Sequence, residues 1–132
     1  MTKVNLMNGV QTGKTIWHKS VRGPGGGTFD LALFNGQIVY SDGEAGTYAG
    51  VEIINADGND SGQVIVLLDD GSVSNQVVRG EVTVNEGASL LRGIGVWEMV
   101  DGTGRFADLR GSGTYKWEVD GDNWRAEFSA SM

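Results

Sequence analysis

The chain has 132 residues and no cysteine. That length suits one domain with one core, and the lack of Cys excludes disulfides, thiolate nucleophiles and zinc–sulfur sites. Seventeen acidic against ten basic residues give a formal charge of −7, which argues against nucleic acid or an anionic membrane surface as partner.

Residues 1–13 hold scattered apolar residues and no stretch of signal-peptide or membrane-span length. They read as a loosely ordered lead-in to a single domain over 1–132, and the protein as cytoplasmic, with no membrane association. Helical periodicity is nearly absent, because Gly interrupts almost every window of ten residues. In chain order, the alternation predicts strands over residues 14–22, 28–34, 37–41, 46–55, 63–69, 74–84, 88–100, 113–119 and 123–129. Asn35-Gly36, Asp42-Gly43, Asp57-Gly58, Asp70-Gly71, Glu86-Gly87 and Asp120-Gly121 supply the turns between them, with Gly where a positive φ is cheap. Consecutive strands then pair antiparallel. An all-β, closed up-and-down barrel of about eight strands removes the exposed edges, and a two-sheet sandwich is the alternative.

The C-terminal hairpin alternates most cleanly. Tyr115, Trp117 and Val119 share one face and Trp124, Ala126 and Phe128 another, while Lys116, Glu118, Arg125 and Glu127 point the opposite way. In 64–68 and 94–100 both faces are apolar, which predicts a homo-oligomer, a dimer or trimer, covering part of the outer wall.

Three motif lookalikes fail in context. Gly9-Val10-Gln11-Thr12-Gly13-Lys14-Thr15 has three residues between its glycines where a phosphate-binding nest needs four. Asp57-Gly58-Asn59-Asp60-Ser61-Gly62 opens like a calcium loop, but Leu68 occupies the twelfth position, so it reads as a polar turn. Gly102-Thr103-Gly104-Arg105-Phe106-Ala107 fits a dinucleotide pattern without the βαβ unit that pattern requires. His18 is the only histidine, so no metal site built on several imidazoles is expected, and no cofactor.

The run from Val96 through Trp97, Glu98 and Met99 into Gly102-Thr103-Gly104-Arg105-Phe106, then Gly111-Ser112-Gly113-Thr114, resembles the signature stretch of the allene oxide cyclase and dirigent group of barrels. Arg79-Gly80-Glu81-Val82-Thr83 is similar to their penultimate strand. The resemblance covers the last third to half of the chain, and the N-terminal half matches only in strand rhythm. It implies a cofactor-free barrel whose lumen binds an apolar small molecule and steers its cyclisation or coupling, as small bacterial barrels do in polyketide pathways. Within the motif, Gly102 and Gly104 permit a tight reversal and Phe106 can plug one end of the barrel.

Templating an apolar polyketide- or fatty-acid-like substrate needs aromatic walls and a few buried polar groups. Trp17, Tyr40, Tyr48, Trp97, Tyr115, Trp117 and Trp124 are available as walls, and all of these except Tyr40 make up the expected substrate-binding set. Among carboxylates flanked by apolar residues, Glu52 and Glu98 are the catalytic candidates, since a carboxyl in a dry lumen has its pKa raised toward a useful range. Asp30 is expected on the outer face, opposite Phe29, Leu31 and Leu33. A cyclase or isomerase, a carrier of a hydrophobic molecule and an interaction domain with a filled core remain the three readings. A lumen pocket with a polar wall separates the first two from the third.

Overall fold

The computed structural model describes residues 8–86 and 90–130. These form eight strands: β1 (Gly9–Arg22), β2 (Thr28–Tyr40), β3 (Ala45–Ile54), β4 (Asn59–Leu68), β5 (Val73–Asn85), β6 (Leu91–Gly102), β7 (Ser112–Asp120) and β8 (Asn123–Ala130). Each pairs antiparallel with the next, and β8 pairs with β1 from Gly9↔Phe128 to Lys14↔Asn123. The fold is the closed up-and-down barrel that the strand rhythm predicts. Among the described residues no helix is long and apolar enough to cross a membrane.

Four of the expected turns lie where the Asp-Gly pairs stand. Gly43, Gly58 and Gly71 have φ near +90°, and Gly121 has +62°. In the first three, the Asp side chain accepts the N–H two residues on, from Glu44, Asn59 and Ser72, at 2.9 to 3.1 Å, which locks the reversal. The turn expected at Glu86-Gly87, and the start of the strand expected at 88, lie outside the described residues.

Asn35-Gly36 is not a turn: β2 runs unbroken through it. Gly36 faces Gly13 across the β1–β2 ladder, and a Cβ on either would fall 1.9 to 2.0 Å from a carbonyl oxygen of the other strand. The glycines serve close backbone approach where the sheet coils. β1 also starts at Gly9, so part of the expected lead-in is paired strand. Residues 1–7 lie outside the described residues.

The interior is lined by rings lying over glycines. A Cβ at Gly50 would meet Phe34, one at Gly93 would meet Trp117 and one at Gly95 would meet Tyr115, all within 2.6 Å. An eight-stranded barrel has room for one such layer and no more.

The two ends differ. At the end holding the β2–β3, β4–β5 and β6–β7 loops, a 3-10 turn at Gly104–Phe106 drives the Phe106 ring into the core, where it is fully buried. Ser72 fastens this plug by accepting the Arg105 N–H at 2.9 Å, and the Thr103 hydroxyl accepts the Val73 N–H at 3.1 Å. Arg105 pairs with Glu44 at 2.7 Å on the rim. The opposite end, with the β1–β2, β3–β4 and β7–β8 loops, has no such plug among the described residues.

Gly104 has φ +58°, and a Cβ there would sit 2.3 Å from Ser72 Oγ. Gly104→Val is therefore expected to lower stability by about 1–3 kcal/mol, through left-handed strain and loss of the Ser72 clamp. Urea denaturation checks this, and an unchanged midpoint would refute it.

Candidate functional site

At the end away from Phe106 lies a cavity of about 170 Å³. Its walls come from six strands: Thr15 and His18 of β1, Asp30, Ala32 and Phe34 of β2, Glu52 and Ile54 of β3, Leu91 of β6, Trp117 and Val119 of β7, and Trp124 of β8. Phe34 stacks on Trp124 at 4.5 Å between ring centroids, and Trp124 stacks on Trp117 at 5.6 Å. The three rings make one flat apolar wall. A narrower void of about 20 Å³ continues behind Phe34 and Trp124, bounded by Gln11, Gln76, Trp97 and Tyr115.

Glu52 forms part of the cavity wall and is 5 % exposed. It shares its face of the sheet with Asp60, which is 3 % exposed, because Glu52 pairs with Gly62 and Ile54 with Asp60. The two carboxyls lie close enough for each to shift the other's pKa, and the Tyr115 hydroxyl donates to Asp60 Oδ2 at 3.1 Å. Burial pushes the Glu52 pKa well above 4.5, and the nearby Asp60 carboxyl pushes it further the same way. Burial also raises Asp60, although the nearby Glu52 carboxyl and the hydrogen bond from Tyr115 act in the opposite direction. Two carboxylates this close in a dry interior cannot both ionise, so the pair keeps a proton, with Glu52 its main holder. Burial, with the Glu52 and Asp60 charges adding to it, also raises the Tyr115 hydroxyl, which stays neutral as a donor.

The expected residues that face inward divide into three groups. Glu52, Trp117 and Trp124 meet at the cavity. Trp97 and Tyr115 lie deeper, where the Trp97 indole N–H donates to the Ser129 carbonyl at 3.1 Å. Tyr48 is buried in the core, its ring 6.0 Å from Phe34.

Two residues of the expected set do not face the lumen. Glu98 is on the outer wall, because Trp97 and Met99 beside it point inward. Consecutive strand residues cannot share a face, and burying an indole is favourable where burying an unpaired carboxylate is costly. Trp17 is 48 % exposed. A bulge at Ile16, between the Thr15↔Phe34 and Trp17↔Leu33 pairs, reverses the alternation of β1, so that His18, not Trp17, turns toward the cavity.

Asp30 corrects the expectation in the other sense. It shares the inward parity of Ala32 and Phe34 and reaches the cavity mouth, where it accepts a hydrogen bond from the Ser20 hydroxyl. Leu33 is the outward residue, at 40 % exposure, and the Phe29 ring lies against Gly23.

Asp60 was hidden by its position in a stretch that reads as a polar turn. β4 in fact begins at Asn59, and extending the inward series Leu68, Val66, Val64, Gly62 back two residues reaches Asp60. Gln11, Ser74 and Gln76 are buried by the same parity. No group of three or more His, Asp or Glu among the described residues is placed to hold a metal ion. Compared with family models, curated proteins and solved structures, the chain matches none of them.

The raised carboxyl has a consequence for stability. The stabilisation from its protonated form is complete below the unfolded value near 4.5 and is lost as pH rises through the higher folded value. Glu52→Gln keeps shape and a donor for Asp60 but cannot ionise. Its stability relative to the wild type is expected to rise from about pH 5 to about pH 8. Parallel denaturation curves at the two pH values would refute this.

Proposed function

We propose that the barrel binds an apolar small molecule in its lumen and, without a cofactor, holds it in one folded shape so that it cyclises or isomerises, with Glu52 as the acid–base group. The observation that carries this reading is a buried carboxyl, paired with a second, at the wall of a cavity built from stacked Phe34, Trp124 and Trp117. Fixing a flexible chain near its reactive geometry converts entropy into rate, and one positioned proton donor or acceptor adds about 10²–10⁴-fold. The resemblance of 96–114 to allene oxide cyclase and dirigent barrels supports the same reading, with a polyketide- or fatty-acid-like substrate. A cavity of about 170 Å³ is smaller than the roughly 300–1,000 Å³ that encloses a whole drug-sized ligand. The leading part of a longer molecule therefore enters. The rest lies along the β1–β2 ribbon, which outruns β8 beyond Lys14.

A carrier without chemistry is the second reading. It is favoured by one observation, that Glu52 already has Asp60 as its partner. The outer wall adds a proposal about assembly. Ile65, Leu67, Val77, Ile94, Val96 and Val100 are exposed on β4, β5 and β6, an apolar surface of the kind that a dimer or trimer covers.

Filling the cavity tests binding directly. Ala32→Phe is expected to weaken ethylbenzene binding at least about tenfold, read by calorimetry, while Trp17→Ala on the outer wall leaves it unchanged. The reverse pattern would place the site elsewhere. On linear polyene ketones, Glu52→Gln is expected to lower kcat by about 100-fold with little change in KM, whereas unaltered turnover would refute the role given to Glu52. Sedimentation at micromolar concentration is expected to give a dimer or trimer, and a monomer would refute the assembly.

A further inference from the structure

Glu52 borders two spaces at once, the cavity of about 170 Å³ and the narrow void of about 20 Å³ behind Phe34 and Trp124. Three more polar residues line the narrow void: Gln11 of β1, Gln76 of β5 and Tyr115 of β7. All four are more than nine-tenths buried. The register puts them at one level of the interior, since Gln11 pairs with Ala126 and Gln76 with Val64, and both partners line the same void.

Their polar atoms reach that space. Among the described residues, the unpartnered side-chain atoms sealed off by packing are the Tyr40 and Tyr48 hydroxyls, Asp60 Oδ1 and the Trp117 and Trp124 indole nitrogens. The Gln11 amide has no hydrogen-bond partner among the described residues either, yet its atoms are not of that sealed kind, and the surface they keep opens on the void they line. Gln76 Nε2 donates to Ser74 Oγ at 3.1 Å and the Tyr115 hydroxyl donates to Asp60. The Gln76 carbonyl and the Tyr115 oxygen therefore remain as acceptors, while the Gln11 amide both donates and accepts.

Size and chemistry select the occupant. A water needs roughly 10–15 Å³ on this measure and about two to four polar partners, so a space of about 20 Å³ holds one water and no carbon chain. A cation would use the acceptors and waste the Gln11 donor, and an apolar fragment would leave every polar group unmet. A water donates and accepts, and so meets both.

We propose that the inner void binds one ordered water that bridges the Gln11 amide to the Glu52 carboxyl, and that Gln11 acts through this water as a positioning residue for Glu52. Gln11 lies where β1 is paired along both edges, with β2 and with β8, so the bridge is anchored to a rigid wall. Hydrogen bonds from the water favour the charged carboxylate, which burial and the Asp60 carboxyl oppose. The site needs no ligand in the larger cavity, so it stands or falls apart from the ligand-binding reading of the lumen.

A crystal structure of the full chain, at a resolution that shows ordered water, is expected to place one water within hydrogen-bond distance of Gln11 and Glu52. Overhauser contacts between water and the Gln11 side-chain amide are expected to carry the sign of a resident water. Two variants remove it by different routes: Gln11→Met keeps the length of the side chain without polar atoms, and Ala126→Val fills the void while leaving Gln11 in place. Both are expected to move the Glu52 carboxyl titration, followed by carbon-13 NMR, to higher pH. The other titratable groups around Glu52, which are Asp60, Tyr115 and, at the cavity mouth, His18, Asp30 and Asp122, are the same in each. If Gln11→Met fails to fold, Ala126→Val carries the same test. A dry void with no Overhauser contact overturns the water site. An unchanged titration in the folded variants overturns the positioning role, and a shift in Gln11→Met without one in Ala126→Val overturns the bridge.

Discussion

An eight-stranded barrel is only just wide enough for one layer of inward side chains, and the rest of this structure depends on that constraint. A ring can enter such a space only if the wall it lies against has no side chain of its own. Trp117 lies over Gly93, Tyr115 over Gly95 and Phe34 over Gly50, with the would-be Cβ positions inside the rings' contact distance. Each pairing fixes a ring in position and in tilt. Because Trp117 and Phe34 are fixed this way on β7 and β2, Trp124 between them has one stacked position available, and the flat wall of the cavity follows.

The same crowding decides the electrostatics. With Tyr115 held against Gly95, its hydroxyl reaches Asp60 and not bulk water. Asp60 in turn stands beside Glu52, on the next strand of the same inner face, and burial leaves the two carboxyls no solvent to separate their charges. A cation would neutralise them, yet the basic side chains of β5 to β8 point outward, and Arg92 and Arg125 pair with Glu118 and Glu127 on the surface. Retaining a proton is the remaining solution, and it places a neutral acid where a charged one would repel apolar ligands.

Much of this was legible in the sequence, for a physical reason. Period-two alternation reports which face is buried wherever a strand is regular, and it placed Tyr115, Trp117, Trp124 and Phe128 on the inside without reference to any partner strand. It failed where one residue changes the parity or where glycine carries two meanings. The bulge at Ile16 moves Trp17 outward and His18 inward, and nothing local to those residues announces it. Asn35-Gly36 has the composition of a hairpin turn but serves close approach to Gly13, a demand set by a strand the sequence leaves far away. Glu98 was separable in principle, since Trp97 and Glu98 are adjacent and cannot share a face. The pairing of Glu52 with Asp60 was not, because it depends on register between β3 and β4.

The two ends of the barrel divide the work, and the division follows from where the chain spends its irregular structure. The β6–β7 connection is long enough to fold back as a 3-10 turn, insert Phe106 and bind the β4–β5 loop through Ser72, so that end is sealed by covalently attached chain. At the other end the reversals at Asp57-Gly58 and Asp120-Gly121 are too tight to reach across the lumen. Instead β1 continues beyond Lys14 after β8 has ended, paired there with β2 alone, while β2 stays paired with β3 as far as Asp30↔Ile54. A strand paired along only one edge opens more readily than one held along both. The acid and the rings therefore sit on strands paired along both edges, whereas His18 over the cavity sits where β1 is paired along one.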